Sequence, residues 1–154
     1  MDKQRRMRLM PEKLNHQDET QPSQVPAFSY DLIRHELIPE LLGEDEGRIL
    51  YWAGKSLARK QMDLNKNINP YDFFTEAHWG SLQTVKESKS ERIYELASSH
   101  QENKRPFTLE AGFLAQFVEI EKGVVSESSY AIKRNKPLTI TITVRWDKKD
   151  PANS

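Results

Sequence analysis

Leu138, Ile140, Ile142, Val144 and Trp146 alternate without a break with Thr139, Thr141, Thr143 and Arg145. A strand of this pattern buries one face and leaves the other wet. It needs a cover on one side only, and the rest of the chain must provide it. The turn Arg134-Asn135-Lys136-Pro137 joins this strand to an earlier one over Val124 to Lys133. Ser81 to Glu87 and Glu91 to Ala97 form a second pair around Ser88-Lys89-Ser90. Strands that come in hairpins make an antiparallel sheet.

Helical spacing supplies the cover. Tyr30, Ile33, Leu37 and Leu41 mark an apolar stripe over Phe28 to Leu42, with Ser29 as its cap, Gly43 as its stop and Pro39 as a point of kinking. A second helix spans Asp45 to Met62. Pro70 opens a short third one that runs to Ala77 and is closed by Gly80 with a positive φ, while His78 caps its end and Trp79 covers the core. The fourth covers Phe107 to Ile120, with Leu109, Phe113, Phe117 and Ile120 along one stripe and Gly123 after it. The expected fold is α+β: a four-stranded antiparallel sheet of two hairpins under a layer of about four helices. Residues 27–151 form this single domain, residues 1–26 a disordered polar tail with Pro11, Pro22 and Pro26, and residues 152–154 a short end.

Two of the helices carry glycine where helices rarely want it. Leu50-Tyr51-Trp52-Ala53-Gly54-Lys55 and Leu109-Glu110-Ala111-Gly112-Phe113 each place an Ala-Gly pair among large apolar residues. Interior glycine costs a helix about 1 kcal/mol relative to alanine. Something must therefore come close to the backbone at Gly54 and Gly112. A ligand satisfies that requirement, and so does another helix.

Composition removes several function classes. Lysine and arginine number 23, balanced by 23 acidic residues, so the basic surplus of a dedicated nucleic-acid binder is missing. The run Lys3, Arg5, Arg6 and Arg8 is basic, yet no apolar segment follows it as in a secretory signal. No apolar stretch is long enough to span a bilayer. Cysteine is absent, which rules out disulfides, thiol nucleophiles and thiolate metal sites. The expected setting is the cytoplasm.

Catalytic signatures are equally scarce. The chain has no GxGxxG, no GxxxxGK[ST] and no GxSxG. His35-Glu36 resembles the start of a zinc helix, but the residue four places after His35 is Pro39. With His16 in the tail and His100 in a polar loop, the histidines look scattered, and neither a metal nor another cofactor is expected. Glu110 stands out at the margin of an apolar stripe. Such an acid is either buried against a ligand or an edge residue that reaches solvent. Arg48, Trp52, Lys55 and Arg59 share one helix face, as an anionic head group with an apolar tail requires, or as a solvated charged face displays.

Tyr51-Trp52-Ala53-Gly54-Lys55 with Leu57-Ala58-Arg59-Lys60, then Trp79-Gly80, Leu109-Glu110-Ala111-Gly112-Phe113 and Val144-Arg145-Trp146-Asp147 together resemble the YslB family of Gram-positive bacterial proteins. That family is in turn similar to the ligand-binding fold of vinyl-reductase domains and of transport-particle (TRAPP) subunits. The resemblance implies an α/β plait, often dimeric, with an apolar cavity. The cysteines that some vinyl-reductase domains place for a metal are missing here. The resulting expectation is a non-enzymatic domain that holds a small hydrophobic or amphipathic ligand between the glycine-bearing helices. Trp52, Leu57, Phe113 and Phe117 would wall the site, Gly54 and Gly112 would give it room, and Lys55, Arg59 or Glu110 would make its polar contacts. The alternative is a homodimeric interaction protein whose core is simply filled.

Overall fold

The computed structural model describes residues 26–100 and 104–152. The polar tail expected over residues 1–26 lies, but for Pro26, outside the described residues, as does part of the loop that carries His100.

The first helical run, α1, has three sections: α-helical Ala27–Asp31, π-helical Leu32–Leu37 and α-helical Ile38–Leu42. A short turn leads to α2 (Glu46–Leu64), α3 (Pro70–Glu76), β1 (Gly80–Glu87) and β2 (Glu91–Ser98). Then follow α4 (Thr108–Lys122), β3 (Val124–Asn135) and β4 (Leu138–Pro151). The strands form one antiparallel sheet in the order β1-β2-β4-β3. The two hairpins thus meet through β2 and β4. There Tyr94 faces Ile142 and Leu96 faces Ile140.

Local chemistry sets the boundaries. Asn69 accepts hydrogen bonds from the Tyr71 and Asp72 amides at 2.8 and 3.2 Å, and Pro70 occupies the first turn of α3. Gly123 ends α4 in the left-handed conformation, its amide on the Glu119 carbonyl. Past α3 the left-handed turn falls first to His78, at φ 63°, and Gly80 opens β1 with φ 139°.

Alternation in β4 works as expected. Leu138, Ile140, Ile142, Val144 and Trp146 are buried under α4, while on the other face Thr141 and Thr143 are half-buried and Arg145 is exposed; Thr139, at the start of the strand, is the exception and is buried. Phe113 sits at the centre of the cover, stacked on Phe73 at 4.6 Å and edge-on to Phe74 and Trp79. Each such buried side chain contributes about 1.5–3 kcal/mol.

The glycines resolve into a seam between α2 and α4. A Cβ at Gly54 would overlap the Leu109 carbonyl oxygen and come within 2.8 Å of the Phe113 nitrogen. A Cβ at Gly112 would overlap the Tyr51 carbonyl oxygen. Each glycine thus admits the backbone of the opposite helix. The space that a ligand would have needed at these two positions is occupied by main chain.

The first helix departs from expectation. Of its predicted apolar stripe only Tyr30 packs against the core. Phe28 and Leu41 are 73% and 70% exposed, and Leu32, Ile33 and Leu37 are about half exposed. The cause is the π section just before Pro39. Hydrogen bonds that reach one residue further change which positions share a face, so counting at α-helical spacing selects the wrong stripe.

Candidate functional site

The inner face of α1 is polar. Arg34, itself buried, extends from the π section into the domain and donates to Glu110 Oε1 at 2.9 Å, to the Tyr30 hydroxyl at 2.9 Å and to the Pro106 carbonyl at 3.2 Å. Burial works against the charge on Arg34. The Glu110 carboxylate and the Tyr30 hydroxyl outweigh it, so the guanidinium pKa is raised. Burial also raises the pKa of Tyr30, helped by Glu110 and opposed by Arg34. Glu110 is therefore not an edge residue that reaches solvent. It is fully buried as the partner of an arginine 76 positions away.

Beside this pair lies a cluster that the sequence hides. His35 and Asp31 on α1, His78 in the turn before β1 and His100 after β2 converge around Tyr30. The Tyr30 ring stacks on His100 at 4.6 Å and meets His78 edge-on at 5.5 Å. His35 and His100 lie edge-on at 4.9 Å. His100 Nδ1 is 3.1 Å from Asp31 Oδ1, and its Nε2 is 2.9 Å from the His78 carbonyl. Burial, with His35 adding to it, lowers the His100 pKa despite the Asp31 carboxylate. Tyr30 and His78 also line a cleft of ≈ 430 Å³ with Ile33 and Ala77. The expectation of scattered histidines is thus corrected: three elements distant in sequence bring them together. One cue was available. Asp31 stands four residues before His35, on the side where a ligand was not sought.

The residues singled out from the sequence disperse. Gly54 and Gly112 form the helix seam. Phe113 is in the core, and Leu57 and Phe117 pack at its margin. Trp52 points outward and is 59% exposed. Lys55 is buried and donates to the Ser126 carbonyl at 3.0 Å, with Glu119 Oε1 at 3.8 Å. Burial lowers its pKa against the pull of Glu119. Arg59 donates to Gln116 Oε1 at 3.1 Å and lines a cleft of ≈ 390 Å³ with Asp63, Glu119, Ile120 and Gly123. Lys55 and Arg59 thus share the neighbourhood of α4, whereas Glu110 belongs to the α1 site.

Residues 27–145 match the family described as protein of unknown function DUF2507. The chain belongs to the DUF2507 family. Over 140 residues it is 36% identical to the uncharacterized protein YslB of Bacillus subtilis strain 168, spanning 87% of this chain and 93% of that one. The Ala-Gly motifs that suggested this relationship are the two halves of the α2–α4 seam. The fold of this DUF2507 protein is similar to the crystal structure of a vinyl-4-reductase family protein from Methanocaldococcus jannaschii. The TM-score is 0.55 at 15% identity, over 87% of this chain and 89% of that one. That likeness concerns the fold. Among the described residues no helix is long and apolar enough to cross a membrane.

Proposed function

We propose that this DUF2507 protein is a non-catalytic interaction module that pairs with a second copy of itself through α1. The observation that carries the reading is the inverted amphipathicity of that helix. Arg34 and Tyr30 face the domain, while Phe28, Leu32, Ile33, Leu37 and Leu41 face outward. A surface helix ordinarily does the reverse. All five are between 49% and 73% exposed, and large apolar side chains gathered on one open helix mark an interaction surface. A second copy is the occupant best suited to it. A single helical stripe meets its own symmetry mate residue for residue, and a chain with balanced charge does not repel its copy.

Light scattering on the full chain tests this. A dimer is expected at micromolar concentration, and the pair Leu37→Glu with Leu41→Glu should give a folded monomer. A wild type that stays monomeric up to about 100 μM would end the proposal.

The reading with a small amphipathic ligand moves from the glycine seam to the Arg59 cleft. That cleft offers a guanidinium, an amide and the apolar Ile120 within a volume usual for ligand sites. Native mass spectrometry of gently purified protein, repeated on Arg59→Ala, tests it. A bound mass lost in the variant supports it, and a clean apo mass counts against it.

A further inference from the structure

We propose that Asp31, His35 and His100 form a binding site for a divalent first-row transition ion of the Zn²⁺ class. The inference is independent of self-association. Each of the three offers one donor atom, and all three atoms lie within 4.8 Å of one another. Asp31 Oδ1 is 3.1 Å from His100 Nδ1 and 3.8 Å from His35 Nε2. Ligand atoms about 2.0–2.1 Å from a tetrahedral ion sit about 3.3 Å from each other, so the side chains need only small rotations to close on a cation.

The hydrogen bonding around His100 favours this use. A carbonyl only accepts, so the contact with the His78 carbonyl places a proton on His100 Nε2. His100 Nδ1 then turns toward a carboxylate oxygen. Two acceptors that face each other at 3.1 Å need a cation between them, either a second proton or a metal. The third donor, from His35, is superfluous to a proton and completes a metal site. An outer hydrogen bond from a ligating imidazole to a backbone carbonyl is also the usual way to fix its tautomer and direction. Here the carbonyl is held by the left-handed turn at His78, and the imidazole plane is held by stacking on Tyr30.

The donor set selects the metal. Two imidazoles and one carboxylate suit Zn²⁺ and its neighbours, whereas Mg²⁺ and Ca²⁺ prefer all-oxygen sites and Cu⁺ prefers sulfur. Three protein ligands leave one position for water or a small donor ligand. Because Asp31 and His35 are on α1 and His100 follows β2, the ion would also clamp α1 to the domain.

The test uses the full chain, stripped with EDTA and titrated with Zn²⁺ or Co²⁺. One equivalent should bind with micromolar or tighter affinity, raise the thermal midpoint and give Co²⁺ the intense visible bands of four-coordination. His35→Gln and Asp31→Asn should each weaken binding by at least about 100-fold, beyond the cost of losing an outer-shell partner. His16→Gln and added Mg²⁺ should change nothing. Both cluster variants keep side-chain size, and circular dichroism reports whether they fold. Absence of a stoichiometric site in the wild type, or binding that survives in folded His35→Gln, overturns the proposal.

Discussion

At the scale of single residues, a buried ion pair and a buried lysine set the character of this domain, and they behave differently. Arg34 and Glu110 are paired at 2.9 Å with little exposure on either side, so removing one partner strands the other in a medium that cannot solvate it. Glu110→Gln should destabilise the protein by about 3–5 kcal/mol, whereas replacing both residues with apolar ones of similar volume should cost much less. Urea unfolding of Arg34→Met, Glu110→Leu and the double variant of these two measures this as a cycle. Simple additivity would show that the pair is not a unit. Lys55 donates to the Ser126 carbonyl, with Glu119 more distant and the Tyr51 and Trp52 rings each 5.7 Å from its Nζ, and burial holds its pKa below 10.5. Between the folded and unfolded values the unfolded chain binds more protons, so this group makes stability rise with pH. The advantage of the wild type over Lys55→Met should therefore grow with pH over the range just below 10.5. A difference that stays flat over that range would contradict the assigned cause.

At the scale of elements, the seam between α2 and α4 gives one substitution two signs. Gly54→Ala and Gly112→Ala each drive a methyl group into the main chain of the opposite helix, which has no rotamer to yield. Each should cost at least about 2 kcal/mol, with the helices forced apart. Gly47, in the first turn of α2, has only the Pro106 Cβ at 3.8 Å, so Gly47→Ala should be neutral or stabilising by up to about 1 kcal/mol. The two seam variants combined should cost less than their sum, because the first separation relieves the second clash. Melting curves for the four proteins decide the matter.

The same elements mark how far the sequence could be read. Strict alternation in β4 and the hairpin turns carried the sheet, since a period of two is a local property. The Ala-Gly pairs announced a close approach, but a backbone atom and a ligand atom impose the same steric demand, and residue identity does not separate them. The orientation of α1 was hidden because π hydrogen bonding changes the period that face assignments depend on. The histidine cluster was hidden for another reason. His78 and His100 meet through the pairing of β1 with β2, and the packing of α1 over that end of the hairpin adds His35.

On the scale of the whole molecule, the domain is held by two different kinds of contact. The sheet, α3 and α4 share one apolar core around Phe74, Tyr94, Leu96 and Phe113. Helix α1 is fastened mainly by polar groups, Arg34 to Glu110 and Pro106, with Tyr30 packed against the core and stacked on His100 beside them. Polar fastening yields little net free energy once water competes for the same groups, so α1 is expected to open first. If its outer stripe meets a second copy, dimerisation adds apolar burial to this helix above all others, and mass action makes its stability depend on concentration. Hydrogen exchange read by mass spectrometry should then show amides of Leu32–Leu37 exchanging well before those of Thr108–Lys122 in dilute protein. Their protection should rise with protein concentration, while that of α4 changes little. Leu37→Glu with Leu41→Glu should abolish the concentration dependence and leave the α4 amides as they are. Protection of α1 equal to that of α4 at every concentration would mean that its polar contacts suffice, and the exposed stripe would then need a different account.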